Sequence, residues 1–493
     1  MTLEISAPAT GAHLADIAEL DGAGLAERAE RARAAQPAWE ALGPSGRRAV
    51  LDAMRGWLFD NSARVIETLI SETGKTHEDA QTLEFAYAVS ALSYWARQAE
   101  RFLAEHRALS RSPLVFGRTL VTRYLPRGLV GVIGPWNYPL INSFGDCIPA
   151  LAAGNSVILK PSELTPLTSL LIAEGLAQSG LPDGVFTAAP GGGETGAALV
   201  DLVDFVMFTG SAESGRRVAE RAARNLTPFA LELGGKDAMI VLAGANLERA
   251  ANVAAYYGMM NAGQTCVSIE RIYAEESIYE QFVALLTGKV AALRCGAPGA
   301  PGSVDVGAIT SARQLETIES QLADALAKGA RVTTGGSRIE GDGRFFAPTV
   351  LADVSDTMTC MTQETFGPVL AVQRVSDAGE AVAAINDSPY GLGAAVFASS
   401  IREGERLARL LRVGAVCVND AAINYFALEV PMGGLRQSGI GVRHSAEGIR
   451  KFTHPQSILI APRWLPDHEP QMYPARATRS RAIGRLLRLI YRR

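Results

Sequence analysis

Leu129-Val130-Gly131-Val132-Ile133, followed by Gly134-Pro135-Trp136-Asn137 and the apolar stretch Leu140 to Ala153, is the segment on which the fold turns. Five uncharged, largely β-branched residues read as a strand buried on both faces. The stretch after it reads as a helix and Ser156 to Leu159 as a second strand, which together open a parallel sheet. The alternation continues with a helix at Thr165 to Ser179, strands at Val185 to Ala189, Phe205 to Phe208 and Phe229 to Leu233, and intervening helices at Thr195 to Val200 and Ser214 to Arg224. The pattern predicts an α/β chain with a doubly wound parallel sheet. A second β/α series, with strands near Ile272, Val332, Val396 and Val416, starts after Gly234-Gly235 and marks a domain boundary there.

Composition excludes several classes. The 493 residues are 48% hydrophobic and 20% charged, enough for two or three domains with a substantial core. A net charge of −4 argues against bulk nucleic-acid binding. Met1 to His13 has neither a basic start nor an apolar core, and no apolar run approaches the roughly 18 residues of a spanning helix, so a cytoplasmic location is expected. Five scattered cysteines fit reduced thiols. The six histidines show no paired ligand spacing and read as mostly surface residues, and no metal site is expected.

The chemistry lies in three segments. Cys266, in Asn261-Ala262-Gly263-Gln264-Thr265-Cys266-Val267, offers a thiol nucleophile, and Glu232, in Leu231-Glu232-Leu233-Gly234-Gly235-Lys236, offers a carboxylate base. Asn137 adds a neutral amide able to donate to a developing oxyanion. A lone cysteine is more often a buried structural residue, and Cys147, Cys295, Cys360 and Cys417 are read that way. Taken in order, the three segments resemble the aldehyde dehydrogenase superfamily, with similarity from about Ser71 to about Thr453. The resemblance implies oxidation of an aldehyde through a thiohemiacetal and thioester on Cys266. Glu232 points to hydrolysis of that thioester, because coenzyme-A-dependent acylating relatives usually lack it.

A cofactor site follows from the same likeness. Lys160-Pro161-Ser162-Glu163 leaves a predicted strand, and in the family the lysine and glutamate positions contact the adenosine ribose. Glu163 can accept both ribose hydroxyls and would repel a 2′-phosphate, so NAD is expected, with NADP as the alternative. Phe208-Thr209-Gly210-Ser211 leads into a helix whose first amides suit a pyrophosphate. Glu364-Thr365-Phe366-Gly367-Pro368 supplies, by resemblance, a carboxylate for the nicotinamide ribose and an aromatic beside the ring. Ile133, Pro135, Trp136 and Leu233 complete the expected site. Gly74-Lys75-Thr76 looks like the end of a phosphate-binding loop but lacks the glycine five residues earlier, and reads as a helix cap and turn.

For the substrate, Gln264 to Arg271 is similar to bacterial succinic semialdehyde dehydrogenases, whereas the stretch Asn419 to Gly434, with Phe452-Thr453-His454, is similar to fatty-aldehyde enzymes. The first branch carries arginines at the positions of Asp146 and Met260, and neither is basic here. The tunnel candidates Tyr138, Gly145, Met260, Val267, Tyr425, Phe426 and Met432 are mostly apolar or small, which favours an aliphatic or aromatic aldehyde. Succinic semialdehyde stays open if another cation, such as Arg436, reaches the tunnel. A catalytically silent binding or structural member of the fold is the reading from another class.

The resemblance divides the chain into an NAD-binding domain (1–109 and 127–234), a catalytic domain (235–438), and an oligomerisation element (110–126 and 453–462) that implies a homodimer or homotetramer. Residues 463–493 form a tail. From Arg476 to Arg493 it holds seven arginines and no acid. Ile483, Leu486, Leu487 and Ile490 fall on one helical face. This basic amphipathic helix fits peripheral contact with an anionic membrane and equally a dock on the acidic body of its own oligomer, with a disordered tail as the third reading.

Overall fold

Leu129–Ile133, Ser156–Lys160 and Phe205–Thr209 are buried at every position, as strands covered on both faces must be. The computed structural model describes residues 2–110, 112, 115–469 and 472–492. One six-stranded sheet runs in the spatial order Gly439–Ile440, Phe229–Glu232, Phe205–Thr209, Leu129–Ile133, Ser156–Lys160, Phe186–Ala188. Its strands pair in parallel, apart from the short first one, which is antiparallel to its neighbour. Ile133 pairs with Lys160 on one side and Phe208 with it on the other limb of register, next to Thr209 opposite Glu232, so four carboxyl ends are level. The chain builds outward from Leu129–Ile133 in one direction and then returns to its other side with Phe205–Thr209. A crevice for ligands belongs at that reversal.

The second sheet has seven strands, in the order Arg331–Thr334, Thr349–Ala352, Val369–Val375, Ile269–Glu275, Asp237–Val241, Gly393–Phe397, Ala415–Val418. Only the outermost, Arg331–Thr334, is antiparallel. The fold is the α/β parallel-sheet class expected from the alternation. One element differs. The helix expected over Leu140 to Ala153 begins as a wide turn, Leu140–Phe144, in which the Gly145 N–H reaches back five residues to the Leu140 carbonyl, before regular helix at Gly145–Ala152.

By its contacts the chain divides into Met1–Leu103 with Pro126–His454, which holds both sheets, and Ala104–Leu125 with Pro455–Arg493. In the smaller unit, Thr119–Pro126 lies between His106–Leu109 and the Thr453–Ile460 strand that leads into it. Trp464 packs over Gly117, Arg118 pairs with Glu469, and Ala477–Tyr491 is helical with no buried side chain. Positions 111, 113 and 114 of the expected oligomerisation element, and 470, 471 and 493 of the tail, lie outside the described residues. No helix among the described residues is long and apolar enough to cross a membrane.

Glu72 ties the crevice to the helical layer. Fully buried at the end of the Ser62–Thr73 helix, it accepts from Leu167 N at 2.7 Å and Thr168 N at 3.0 Å, capping Leu167–Gln178 just beyond the Lys160-to-Glu163 loop. Burial raises its carboxyl to about 7, against the pull of those hydrogen bonds. Glu72→Ala leaves two buried amides without an acceptor and should destabilise the protein by about 1–3 kcal/mol. A lower urea midpoint is expected, and an unchanged one would contradict this role.

Candidate active site

The turn that carries Cys266 is strained and closely held. Beyond the Leu247–Met259 helix, Asn261, Ala262 and Gly263 adopt φ of 51°, 54° and 71°, a left-handed run that costs energy for residues with a Cβ. Asn261 N donates to Asp79 Oδ2 at 3.1 Å. The Gln264 amide donates to the Asn261 and Ala308 carbonyls at 2.9 and 3.1 Å and accepts from Thr310 N at 2.8 Å. A Cβ on Gly263 would lie 2.0 Å from the Gly367 carbonyl oxygen, so only glycine fits. From Met260 to Glu270 every residue is buried except Cys266.

Asn137 stands beside that turn. Its side-chain Nδ2 donates to the Gln264 carbonyl at 2.8 Å, which leaves its second N–H for a substrate oxygen. Its own carbonyl accepts from Lys75 Nζ at 3.0 Å and Asn261 Nδ2 at 3.1 Å. Lys75 is 1% exposed, pairs with Glu84 and sits 4.3 Å from the Tyr138 ring centre. Gly74 is the left-handed helix cap the sequence suggested, with φ of 73°. The buried role of Lys75 was not foreseen, because a lysine after a helix cap ordinarily faces water.

Glu232 ends its strand 3% exposed, with Oε1 lacking a hydrogen-bond partner. Burial raises its carboxyl to about 7, against the pull of Arg443 and Lys451. Burial pushes the Cys266 thiol up to about 12; Arg443 draws it down, while Glu364, Asp237 and Glu232 push it further up. The resting thiol is therefore protonated at neutral pH, beside a carboxylate poised to titrate there.

Arg443 is the principal residue missed in the sequence. Its guanidinium holds Asp146 bidentately, Nε at 2.9 Å and Nη2 at 2.7 Å, and also donates to Thr209. Asp146, read as a position lacking a cation, thus has one against it. His444 departs from the expectation that the histidines are mostly on the surface. It is 3% exposed, its Nε2 is 2.9 Å from the Tyr87 hydroxyl, and burial holds its pKa down near 3.

A narrow, largely apolar cavity reaches Cys266. Of the expected tunnel residues, Tyr138, Met260, Val267, Tyr425 and Phe426 line it, joined by Leu83, Ile141, Asn142, Thr265 and Ala422, which were not anticipated. Gly145 does not line it, a correction with a simple cause: the wide turn before it directs its Cβ position at the Tyr87 ring, 3.3 Å away. Met432 also lies outside, its backbone bridged to Arg443. Arg436 does not reach the cavity; it donates to the Asn386 and Arg412 carbonyls at 2.9 and 2.8 Å and to Ser388. Among the described residues, no cation lines the cavity.

The expected cofactor residues gather at the carboxyl ends of the first sheet. Ile133 leads to Pro135 and Trp136, Lys160 to Ser162 and Glu163, Thr209 to Gly210 and Ser211, and Glu232 to Leu233. Lys160 Nζ, nearly buried, lies 3.3 Å from Glu163 Oε2, and the Glu163 carboxylate is half exposed with room to accept a diol. Ser211 caps Ala212–Arg224, accepting from Ser214 N at 3.2 Å, and Leu233 fills the space a Cβ on Gly215 would need. From the second sheet, Glu364 Oε1 accepts from Gly235 N at 2.9 Å, and Phe366 meets Trp136 edge to face at 5.4 Å. Phe366 N and Thr365 N donate to the Glu270 carboxylate at 2.8 and 2.7 Å, which fixes that turn. Burial and Glu270 raise the Glu364 carboxyl. The open positions at Gly192 and Gly193, next to the Phe186–Ala188 strand, form part of the same rim and were not read in the sequence. This donor set, a carboxylate for hydroxyls, a helix N-terminus and an aromatic edge, fits a dinucleotide.

Comparison with known proteins agrees. The sequence model of the Aldehyde dehydrogenase family matches residues 1–458. A putative succinate-semialdehyde dehydrogenase [NADP(+)] 2 of Mycobacterium tuberculosis is 42% identical over 87% of this chain and 83% of its own length. A 4,4′-diapolycopene aldehyde oxidase of a Methylomonas species is 40% identical over 95% of this chain and 87% of its own. The putative aldehyde dehydrogenase PutA from Anabaena variabilis superposes with a TM-score of 0.91 at 38% identity, covering 96% of this chain and 100% of that one. A Mycobacterium tuberculosis aldehyde dehydrogenase complexed with NAD+ gives 0.89 at 36%, covering 94% and 95%. The chain belongs to the aldehyde dehydrogenase family and is an NAD(P)-dependent oxidoreductase acting on aldehydes.

Proposed function

We propose that this enzyme oxidises an apolar aldehyde to its carboxylic acid with Cys266 as nucleophile, and the observation that carries the reading is Cys266 in the wall of a cavity whose described lining holds no cation. The Cys266 thiol loses its proton to solvent as the sulfur adds to the aldehyde carbon, and the oxyanion takes hydrogen bonds from the free Asn137 N–H and the Cys266 amide. Bound NAD(P)+ would supply the hydride acceptor, held by Lys160, Glu163, Glu364 and the Ala212–Arg224 helix start. Glu232 then takes a proton from water as it attacks the thioester, the C–S bond breaks, and the acid leaves. We assign cofactor binding to 1–109 and 127–234, catalysis to 235–438, and assembly of a dimer or tetramer to 110–126 with 453–462. Because Glu232 is charged only above about 7, kcat should fall as pH drops below that value. Cys266→Ala should be inactive at every pH, and a flat wild-type profile from pH 6 to 8 would count against Glu232 as base.

NAD rather than NADP is supported by Glu163, whose half-exposed carboxylate would repel a 2′-phosphate. The mycobacterial relatives named for NADP make this a sharp test. Catalytic efficiency should be higher with NAD, and Glu163→Gln should narrow the gap. A wild-type preference for NADP would overturn the assignment.

The substrate reading weighs two relatives. The apolar cavity favours a lipophilic aldehyde, in keeping with the relative named for diapolycopene aldehyde, over succinic semialdehyde, whose carboxylate would meet no cation there. The tail supports the same reading. In Ala477–Tyr491, Arg481, Arg485 and Arg488 project opposite Ile483, Leu486, Leu487 and Ile490, and Leu489 and Tyr491 are also exposed. We place the protein in the cytoplasm, with this helix at the inner, anionic membrane face, where each basic residue adds about 1 kcal/mol of attraction. The intact chain should float with anionic vesicles, in a salt-sensitive way, and should oxidise a vesicle-borne long-chain aldehyde more efficiently than succinic semialdehyde. A chain ending before Arg476 should not float. Failure of the full chain to float would remove the membrane contact, and a preference for succinic semialdehyde would reverse the substrate reading.

A further inference from the structure

Around Glu232 the structure leaves an unusual pair of loose ends. Its Oε1 and the Arg443 Nη1 are both buried and both lack a hydrogen-bond partner, while Nη1 stands 3.9 Å from Glu232 Oε2. That distance is too long for a hydrogen bond and short enough for strong attraction where water is excluded. Buried polar atoms without partners are rare, and one on each member of a neighbouring buried ion pair calls for an explanation.

The two groups differ in freedom. Arg443 is clamped by both Asp146 oxygens and by Thr209, so it cannot follow Glu232. Glu232 has no side-chain hydrogen bond on Oε1 and can turn. We propose that Arg443, fixed by Asp146, is a positioning residue that gives Glu232 a resting place, from which the carboxylate turns toward the water that attacks the Cys266 thioester. During that step the water oxygen bonds to the thioester carbon, its proton goes to Glu232, and the electron pair of the broken C–S bond stays on Cys266. The guanidinium cannot deprotonate, so it is not itself a proton carrier. Its effect is to favour the ionised, mobile form of Glu232.

The other groups that face Glu232 fit this division. Lys451 adds positive charge, Asp146 opposes it, and Tyr87 and Cys266 are neutral at pH 7. His444, next to Arg443, is held neutral and does not compete for the carboxylate. Arg443 is therefore the permanent counter-charge that Asp146 and Glu232 share, whereas burial lowers the Lys451 ammonium to about 8.

The inference rests on Glu232 being the hydrolytic base. The test follows the initial burst of NADH and the later steady rate as functions of pH, in wild type, Arg443→Lys, Arg443→Met and Asp146→Asn/Arg443→Met. The double variant removes both charges of the buried pair, so it answers the question if Arg443→Met alone fails to fold. The burst should survive in the charge-removed variants. Their steady rate at pH 7 should fall about fivefold and recover at higher pH, its midpoint displaced upward by about one unit. Arg443→Lys should restore part of the wild-type profile. A steady rate reduced equally at all pH values, or lost together with the burst in a folded variant, would overturn the proposal. Glu232→Gln is the control: full turnover by that variant would remove the base on which the proposal rests, whereas a stalled Glu232→Gln with an unmoved Arg443→Met midpoint would remove the proposal alone.

Discussion

Arg443 and Asp146, 297 residues apart in sequence, meet in two parallel hydrogen bonds of 2.9 and 2.7 Å with almost no exposure, and the arrangement around Cys266 depends on that contact. Through Asp146 it holds the helix that follows the first strand, and through Thr209 it holds the end of a second strand. Through the chain on either side of Arg443 it holds the Gly439–Ile440 strand, which lies along Glu232. Breaking a buried pair by removing one partner costs about 3–5 kcal/mol. The pair also sets the local field, because Arg443 is the first opposing influence on the burial of both Glu232 and Cys266.

The parallel sheet brings distant residues to this point. Four strands ending at one level place Lys160, Thr209, Glu232 and the Pro135-to-Asn137 turn along one crevice. The second sheet delivers Cys266 and Glu364, each through a turn that residues on other segments hold in place. Gln264 and Asp79 hold the first, and Glu270 holds the second. The proposed catalytic geometry is thus supported by buried polar groups outside the cavity lining.

What could be read in the sequence was what repeats or clusters. The uncharged strand runs and their alternation with helices gave the sheet order its pattern, and Cys266, Glu232 and Asn137 stood out because their neighbours carry a family resemblance. Lys75 and Arg443 were invisible for a physical reason. A single cation between unremarkable neighbours ordinarily points to water, and only the folded chain shows a carboxylate waiting for it. His444 was misjudged because a histidine outside any ligand pattern ordinarily keeps contact with water, and only the fold shows the Tyr87 hydroxyl beside its ring. Gly145 was named among the tunnel candidates beside the family likeness, and in the structure a Cβ there would meet the Tyr87 ring instead. Asn261 and Ala262 gave no sign of their left-handed backbone, since neither is glycine.

The central claim is that Cys266 carries the acyl group and Glu232 releases it. The most direct measurement is the mass of the Glu232→Gln protein, and of its proteolytic peptides, after incubation with NAD+ and a long-chain aldehyde. The account predicts a gain equal to one acyl group, confined to the peptide that contains Cys266 and matched by one equivalent of NADH. An acyl group on Cys147, Cys295, Cys360 or Cys417 instead, or no adduct while turnover continues, would contradict it.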